Sequence, residues 1–556
     1  MLPENSINVP EEWKVYKSQV PKMGKKGEWK IDGKKIPCTE KEQMGARSIF
    51  AIIYGSELTT PTVIHGCKRT ELAASLRACG NLNTEDPVVF AKYEHWFKKK
   101  YVPGFLKYLD EEGPRTIDVE EWLRGGRYNK AYQDNLRKAF FNDNRTYKET
   151  VRGFRRNLKY KCFPKQELQF TEVPHEMKDD PVNDVKERQI CGPTDEKKMM
   201  ANAFINFLEY IADKYMKEYC GRKNWIQICE EINDSLQTIP DHIGGESDGS
   251  GFDMTQREKH NLLMNYLIMS CARHPNITFK EPLTLEDLER ALEESITIHA
   301  TAADGDIEYK AKGRASGDGW TTFGNTMLMI SYWLYTFYIA EEKFSVKFDK
   351  MLKVKGDDVL MALPKSLIDK LKWAIDIVFT KTKGLIQHGL GQICKLVKFG
   401  DMQELSFLSN YFFWTAKDKL RMTRIPARIF QTNCWSTKIP NCKPKKMEEM
   451  RQGLCFAKGK CLKAWADGLP IFSVLADKMI ELGRKNQYSV IDKYADEPRM
   501  WHQGRNDYDA YCEFLSFRFG LNRKEVFEIE RKIKAITSKT DVVQIKQLDV
   551  FFSYVV

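Results

Sequence analysis

The stretch Lys355-Gly356-Asp357-Asp358-Val359 constrains the fold of this chain most. Two short β-prone runs flank it, Met351 to Lys355 and Val359 to Ala362. Gly356 supplies the backbone freedom of a tight turn, so the segment reads as a β-hairpin with two carboxylates at its tip. Adjacent carboxylates repel each other, and both stay ionised cheaply only with a cation between them. A lone Gly-Asp-Asp tripeptide reads better as a solvated turn. The segments upstream reverse that reading.

In Asp248-Gly249-Ser250-Gly251-Phe252-Asp253, Asp248 falls where a strand ends and the glycines permit a sharp turn. Asp253 falls near the start of a helix-like stretch, Met254 to Cys271, where a carboxylate is favoured. Helix capping accounts for Asp253 but gives no reason for Asp248. In Gly313 to Thr326 the first half is too rich in glycine for a regular element, and a long buried helix begins at Thr321. Thr321 and Asn325 are one turn apart on the same helical face. A plain capped loop does not predict that asparagine.

Further upstream, Lys186, Arg188 and Ile190 alternate as in a strand. Lys186 and Arg188 then share a face and could grip a triphosphate; surface ion pairing is the competing reading. Downstream, Pro364 opens a helix with an apolar stripe at Leu367, Ile368, Leu371, Ile375 and Val378. Gly389 to Phe399 reads as extended and carries Lys395 and Lys398, and Glu404 to Ser409 as a second hairpin. From about Thr415 the pattern is mostly helical. Near the start, Pro21 to Lys35 reads as a basic loop and Glu71 to Cys79 as a short amphipathic helix.

The 556 residues exceed what one core serves, which implies about two to four subdomains. The net charge of +11 is uneven. Arg124 to Lys165 holds thirteen Lys or Arg against Asp134, Asp143 and Glu149, with aromatic residues interleaved. Such a stretch suits phosphates and unstacked bases; an exposed basic helix pair with a buried aromatic face is an equal alternative. Fourteen cysteines without a Cys-x-x-Cys imply free thiols in a reducing compartment, and the spacing of Cys434, Cys442, Cys455 and Cys461 is poor for zinc. No secretory signal is visible, and the apolar run Met327 to Ala340 is short for a membrane span. Gly453 to Lys460 has the wrong glycine spacing for a P-loop and Cys461 where Ser or Thr belongs, which excludes that class of hydrolase.

In this order the segments resemble the viral RNA-dependent RNA polymerases. Asp248 and Asp253 are similar to that family's first palm motif. Ser316-Gly317, Thr321 and Asn325-Thr326 are similar to its second, Gly356-Asp357-Asp358 to its third, and Lys165 with Lys186-Glu187-Arg188 to its basic fingers motif. Gly453-Leu454-Cys455 through Gly468-Leu469-Pro470-Ile471 is loosely similar to the thumb of tombusvirus-like and nodavirus-like enzymes of positive-strand viruses. The resemblance implies an α+β closed right hand: fingers, a palm of antiparallel sheet flanked by helices, and a helical thumb. The implied divisions are 1–110 an N-terminal extension or fingertips, 111–235 fingers, 236–260 palm, 261–312 a fingers insertion, 313–414 palm and 415–556 thumb.

It also implies roles. Asp248 and Asp357 would be the main ligands of paired Mg²⁺ (or Mn²⁺), with Asp358 secondary and the Gly249 carbonyl completing a shell. Asp253, Ser316, Thr321 and Asn325 would read the ribose, since a 2′-hydroxyl both donates and accepts. Lys165, Lys186 and Arg188 would bind the triphosphate. Lys395, with Lys398 as competitor, would be the general acid for pyrophosphate. Phe407 to Ser409 would grip the primer strand. Implied partners are RNA template and product, NTPs and other viral replication proteins, in a replication complex in the host cytoplasm. The rival readings are a reverse transcriptase and a non-catalytic RNA-binding protein. Asp253 argues against the first, because reverse transcriptases typically carry an aromatic gate there.

Overall fold

The computed structural model describes residues 22–23, 29–31, 34–35, 47–56, 62–63, 83–125, 129–141, 160–164, 168–169, 189–302, 308–311, 313–380, 387–437, 439, 442–489 and 506–552. The elements around its centre are, in chain order, helix α1 (Pro87–Trp96), strands β1 (Tyr160–Pro164) and β2 (Gln189–Gly192), helix α2 (Asp195–Tyr215), strand β3 (His242–Gly249) and helix α3 (Glu258–Ala272). Then come helix α4 (Thr321–Phe344), strands β4 (Met351–Lys355) and β5 (Asp358–Pro364), helix α5 (Ile368–Val378), strand β6 (Gln392–Gly400) and helices α6 (Pro444–Ala466) and α7 (Phe472–Leu482). The architecture is α+β.

Strand β5 is apolar at nearly every position, which requires cover on both faces of its sheet. It lies inside a five-stranded sheet of order β4, β5, β3, β6 and the short strand Phe379–Thr380. The first three pairings are antiparallel and the last is parallel. Val359, Met361 and Leu363 point into the core shared with α4 and α5. Leu360 and Ala362 point into a second core with the helix Trp225–Leu236 and the strands Asn410–Trp414 and Leu420–Arg424.

Helix α4 is buried on almost every side, from Phe323 to Phe337, so it runs through the main core rather than over it. Its end is set by Ser345, which adopts a left-handed φ of 50°. Helix α2 begins at Thr194, whose Oγ1 accepts from the Lys197 N–H at 3.3 Å, with Asp195 and Glu196 in the first turn where the helix dipole favours them.

A third core joins α6 and α7 to the helices Tyr508–Phe519 and Arg523–Lys534. Phe50, Ala51 and Ile53 belong to it as well. Strand Ile52–Tyr54 pairs in parallel with Val542–Gln544, and Arg47–Ser48 pairs antiparallel with Trp435–Ser436. Helix α1 instead packs into the main core with α4, through Phe90, Tyr93 and Trp96.

Some local expectations change. Pro21 to Lys35 is not all loop: Lys22–Met23, Trp29–Ile31 and Lys34–Lys35 form a small three-stranded sheet, because backbone pairing there needs no apolar face. The second hairpin runs from Ser406–Phe407 to Asn410–Trp414 and gains a third strand, Leu420–Arg424. Glu71 to Cys79 lies outside the described residues. No helix among the described residues is long and apolar enough to cross a membrane.

Candidate active site

Register brings the acidic segments together. Ser247 of β3 pairs with Val359 of β5, and Lys355 pairs with Asp358, so the end of β3 lies beside the hairpin tip. Gly356 turns the hairpin with φ +65°. A Cβ built on Gly249 would lie 3.1 Å from the Asp357 Cβ. Burial raises the Asp357 carboxyl most, then the neighbouring Asp358 charge, with Asp248 and Asp253 adding to it, and together they push it up to about 7. Acids from two strands, a tight turn and a short helix therefore act on one another across more than a hundred residues of chain.

The turn is anchored from behind. The Gly356 N–H donates to Thr326 Oγ1 at 2.9 Å, and Thr326 is fully buried on α4. One residue earlier, the Asn325 amide donates to Asp253 Oδ1 at 2.5 Å. Consecutive residues of one helix thus hold the carboxylate tip and the Asp253 side chain.

The glycine-rich loop before α4 is fastened to β2. Cys191 donates its N–H to Ser316 Oγ at 3.2 Å and accepts from the Gly317 N–H at 3.1 Å. A Cβ on Gly317 would lie 2.5 Å from the Cys191 carbonyl oxygen, so only glycine permits this approach. The Thr321 hydroxyl donates to the Ala315 carbonyl at 2.5 Å, closing the loop onto the helix start. Both hydroxyls expected at the ribose thus also hold the loop's shape.

Strands β3 and β6 slip register by one residue beside the acids. Asp248 pairs with Leu396 and Gly249 with Cys394, which leaves Lys395 as the extra residue of a bulge. Lys398, the competing lysine, donates to the Glu404 carbonyl at 2.6 Å. The Lys395 side chain lies outside the described residues, as do Lys165, Lys186, Arg188 and most of the basic stretch between Arg124 and Lys165. Leu408 and Ser409, expected at the primer, form the tip of the second hairpin with positive φ.

Among the described residues no three His, Cys, Asp or Glu side chains converge as a ready-made ion cage. The donors around Asp357 are nonetheless all oxygen, and their mutual repulsion is what a divalent cation relieves. Mg²⁺ keeps several waters and takes substrate phosphates, so few carboxylates suffice.

The structure adds polar residues that motif reading passes over. Lys197 donates to the Tyr160 hydroxyl, which donates to Asp318 Oδ2 at 2.9 Å, all three being buried. Arg314, only 2 % exposed, donates its backbone N–H to the Asp253 carbonyl at 2.8 Å. Its position immediately before Ala315-Ser316-Gly317 and the glycine at 324, inside a helix, were the available signals. Beneath β6, the Tyr332 hydroxyl lies 3.0 Å from Gln256 Oε1 and 2.7 Å from His260 Nδ1, and Gln256 in turn donates to Gln392 Oε1 at 2.9 Å.

A hairpin of paired carboxylates thus lies against a second acidic strand end, backed by a helix presenting Asn325. The family model described as viral RNA-dependent RNA polymerase matches residues 141–441, more than half of the chain, and the chain belongs to that family. No curated protein matches the sequence. The protein is an RNA-directed RNA polymerase, and RNA-templated RNA synthesis is its activity.

Proposed function

We propose that this acidic cluster carries out template-directed nucleotidyl transfer by the two-metal route, in replication or transcription of a viral genome. The observation that carries this reading is Asp357, half-buried and within the field of Asp358, Asp248 and Asp253. Asp248, Asp357 and Asp358, with the Gly249 carbonyl, would hold the ions. When bound, the metals activate the RNA 3′-hydroxyl and neutralise the leaving pyrophosphate. Asp253 and Asn325 orient the sugar: their hydrogen bond sets a carboxylate beside an amide, a pair of groups suited to a 2′-hydroxyl that both donates and accepts. Ser316 and Thr321 shape the loop around it. Lys395 is the general acid; its bulge next to Asp248 favours it over Lys398, which is tied to Glu404. Lys165, Lys186 and Arg188 receive the triphosphate.

On this reading the five-stranded sheet with α4 and α5 is the palm, the elements of 111–235 and of 261–312 are fingers, 1–110 is an extension or fingertips, and the core of α6 and α7 is the thumb. Placement among tombusvirus-like and nodavirus-like enzymes rests on the thumb resemblance. Location in a cytoplasmic replication complex with other viral proteins follows from the proposed role.

The test is Asp357→Ala on an RNA template with Mg²⁺ and all four NTPs. Incorporation is abolished while RNA binding stays within about twofold, since this side chain makes no part of the basic surface. Retained synthesis refutes the assignment.

A further inference from the structure

Arg314 is a charged side chain with no surface to serve. It is 2 % exposed, and burial pulls its guanidinium below the usual arginine range, opposed chiefly by the Asp253 charge and then by Asp318. Burying a cation is expensive unless it is matched by opposite charge and hydrogen bonds. The fold provides both. Its Nη2 donates to Asn261 Oδ1 at 3.0 Å, and the Asn261 amide donates in turn to the carbonyls of Gln256 and Gly313, at 2.9 and 3.2 Å. Its backbone N–H holds the Asp253 carbonyl. Helix α4 makes room for it: a Cβ at Gly324 would lie 3.0 Å from the guanidinium Cζ and nearer still to Nη1. A glycine inside a helix is less favourable than alanine, and the place it leaves is filled by this cation.

We propose that Arg314 is a positioning residue for sugar selection, holding Asp253 in place for the ribose through its backbone bond and buried positive charge, without touching the nucleotide. This rests on the reading of Asp253 and Asn325 given above. Two hydrogen bonds hold Asp253, its carbonyl by the Arg314 N–H and its Oδ1 by Asn325, and the Arg314 cation attracts its charge. The Asn325 bond fixes one carboxylate oxygen. The guanidinium cation attracts the Asp253 carboxylate and so biases where that side chain rests. Asp318, which accepts from the Tyr160 hydroxyl that Lys197 in turn donates to, is the next charge opposing the guanidinium's burial. Sugar choice is thereby tied to the glycine-rich loop and to α2.

The experiment measures kcat/KM for an NTP and for the matching dNTP on one primed RNA template, for Arg314→Gln, Arg314→Lys and Gly324→Ala, with thermal midpoints alongside. Arg314→Gln lowers the NTP-to-dNTP ratio about tenfold, as expected for coupled neighbours in one network. Arg314→Lys keeps the charge and stays within about threefold of the parent ratio. Gly324→Ala keeps every charge but drives a Cβ against the guanidinium; the ratio falls, and adding Arg314→Lys, whose slimmer head clears the Cβ, restores it in part. A purely structural role would lower both rates together and leave the ratio alone. An unchanged ratio in active, folded Arg314→Gln overturns the proposal. Should that variant fail to fold, an unchanged ratio in Gly324→Ala overturns it equally. A parent protein that incorporates neither nucleotide would instead refute the polymerase reading of the site.

Discussion

Thr326→Val tests whether the carboxylate tip is positioned from α4. The substitution is nearly isosteric and the site is fully buried, so it opens no cavity. It removes one atom that does two things: Oγ1 accepts from Gly356 at 2.9 Å and donates to the Thr322 carbonyl at 2.7 Å. The Thr322 carbonyl keeps its helical partner. The Gly356 N–H loses its acceptor in a half-buried turn, at a cost of about 1 kcal/mol. That N–H immediately precedes Asp357, so the strain is relieved by moving the acid. A displacement near 1 Å at a reacting centre costs roughly a hundredfold. The expected result is a drop of about 10–100-fold in single-nucleotide incorporation, with RNA affinity unchanged within about twofold. Thr326→Ser keeps the acceptor and loses only a methyl, so it should retain most activity and lose about 1 kcal/mol of stability. The assay is pre-steady-state incorporation on a primed RNA, paired with urea unfolding. If Ser damages incorporation more than Val does, the hydroxyl is not what seats the tip.

Three further outcomes follow from the same structure. Burial holds His260 neutral and lowers its pKa to about 4, so its share of stability is present above pH 6.5 and is lost as pH falls toward 4, on the order of 3 kcal/mol in all; urea unfolding against pH should show this slope, and His260→Gln should flatten it, whereas an unaltered slope places the acid sensitivity elsewhere. Gly317→Ala sets a Cβ 2.5 Å from a backbone oxygen that cannot rotate away, and should cost about 1–3 kcal/mol together with most activity; a thermal midpoint equal to the parent's would mean the loop and β2 separate freely. Neutralising basic residues between Arg124 and Lys165 should lower the slope of log affinity against log salt by about 0.7 for each single-strand phosphate that no longer meets a cation, and a slope that does not change removes that stretch from the RNA path.

Much of the site was legible because it is written in local spacing. A glycine between two β-prone runs makes a hairpin whatever surrounds it, and β4 and β5 flank Gly356 and Asp357 as expected. Thr321 and Asn325 lie one turn apart because the helix repeat requires it, and α4 begins at Thr321. The stripe from Leu367 to Val378 likewise falls on α5 after one short turn of tighter helix. The boundary of β6 and the helix around Asp253 were less clear, since caps and turns there depend on neighbours distant in the chain.

The amino-acid order by itself determined which short elements form and which polar side chains each one carries, because dihedral preference and side-chain periodicity act over a few residues. Only the tertiary structure decided that Ser247 lies opposite Val359, that β3 and β6 slip by one at Lys395, and that Phe50 and Ile53 share a core with Phe514. It alone decided that Arg314 is buried beside Gly324 rather than exposed in a loop. Strand register is settled by partners a hundred or more residues away and the burial of Arg314 by Asn261, 53 residues back, and their free energies exist only once those partners have met.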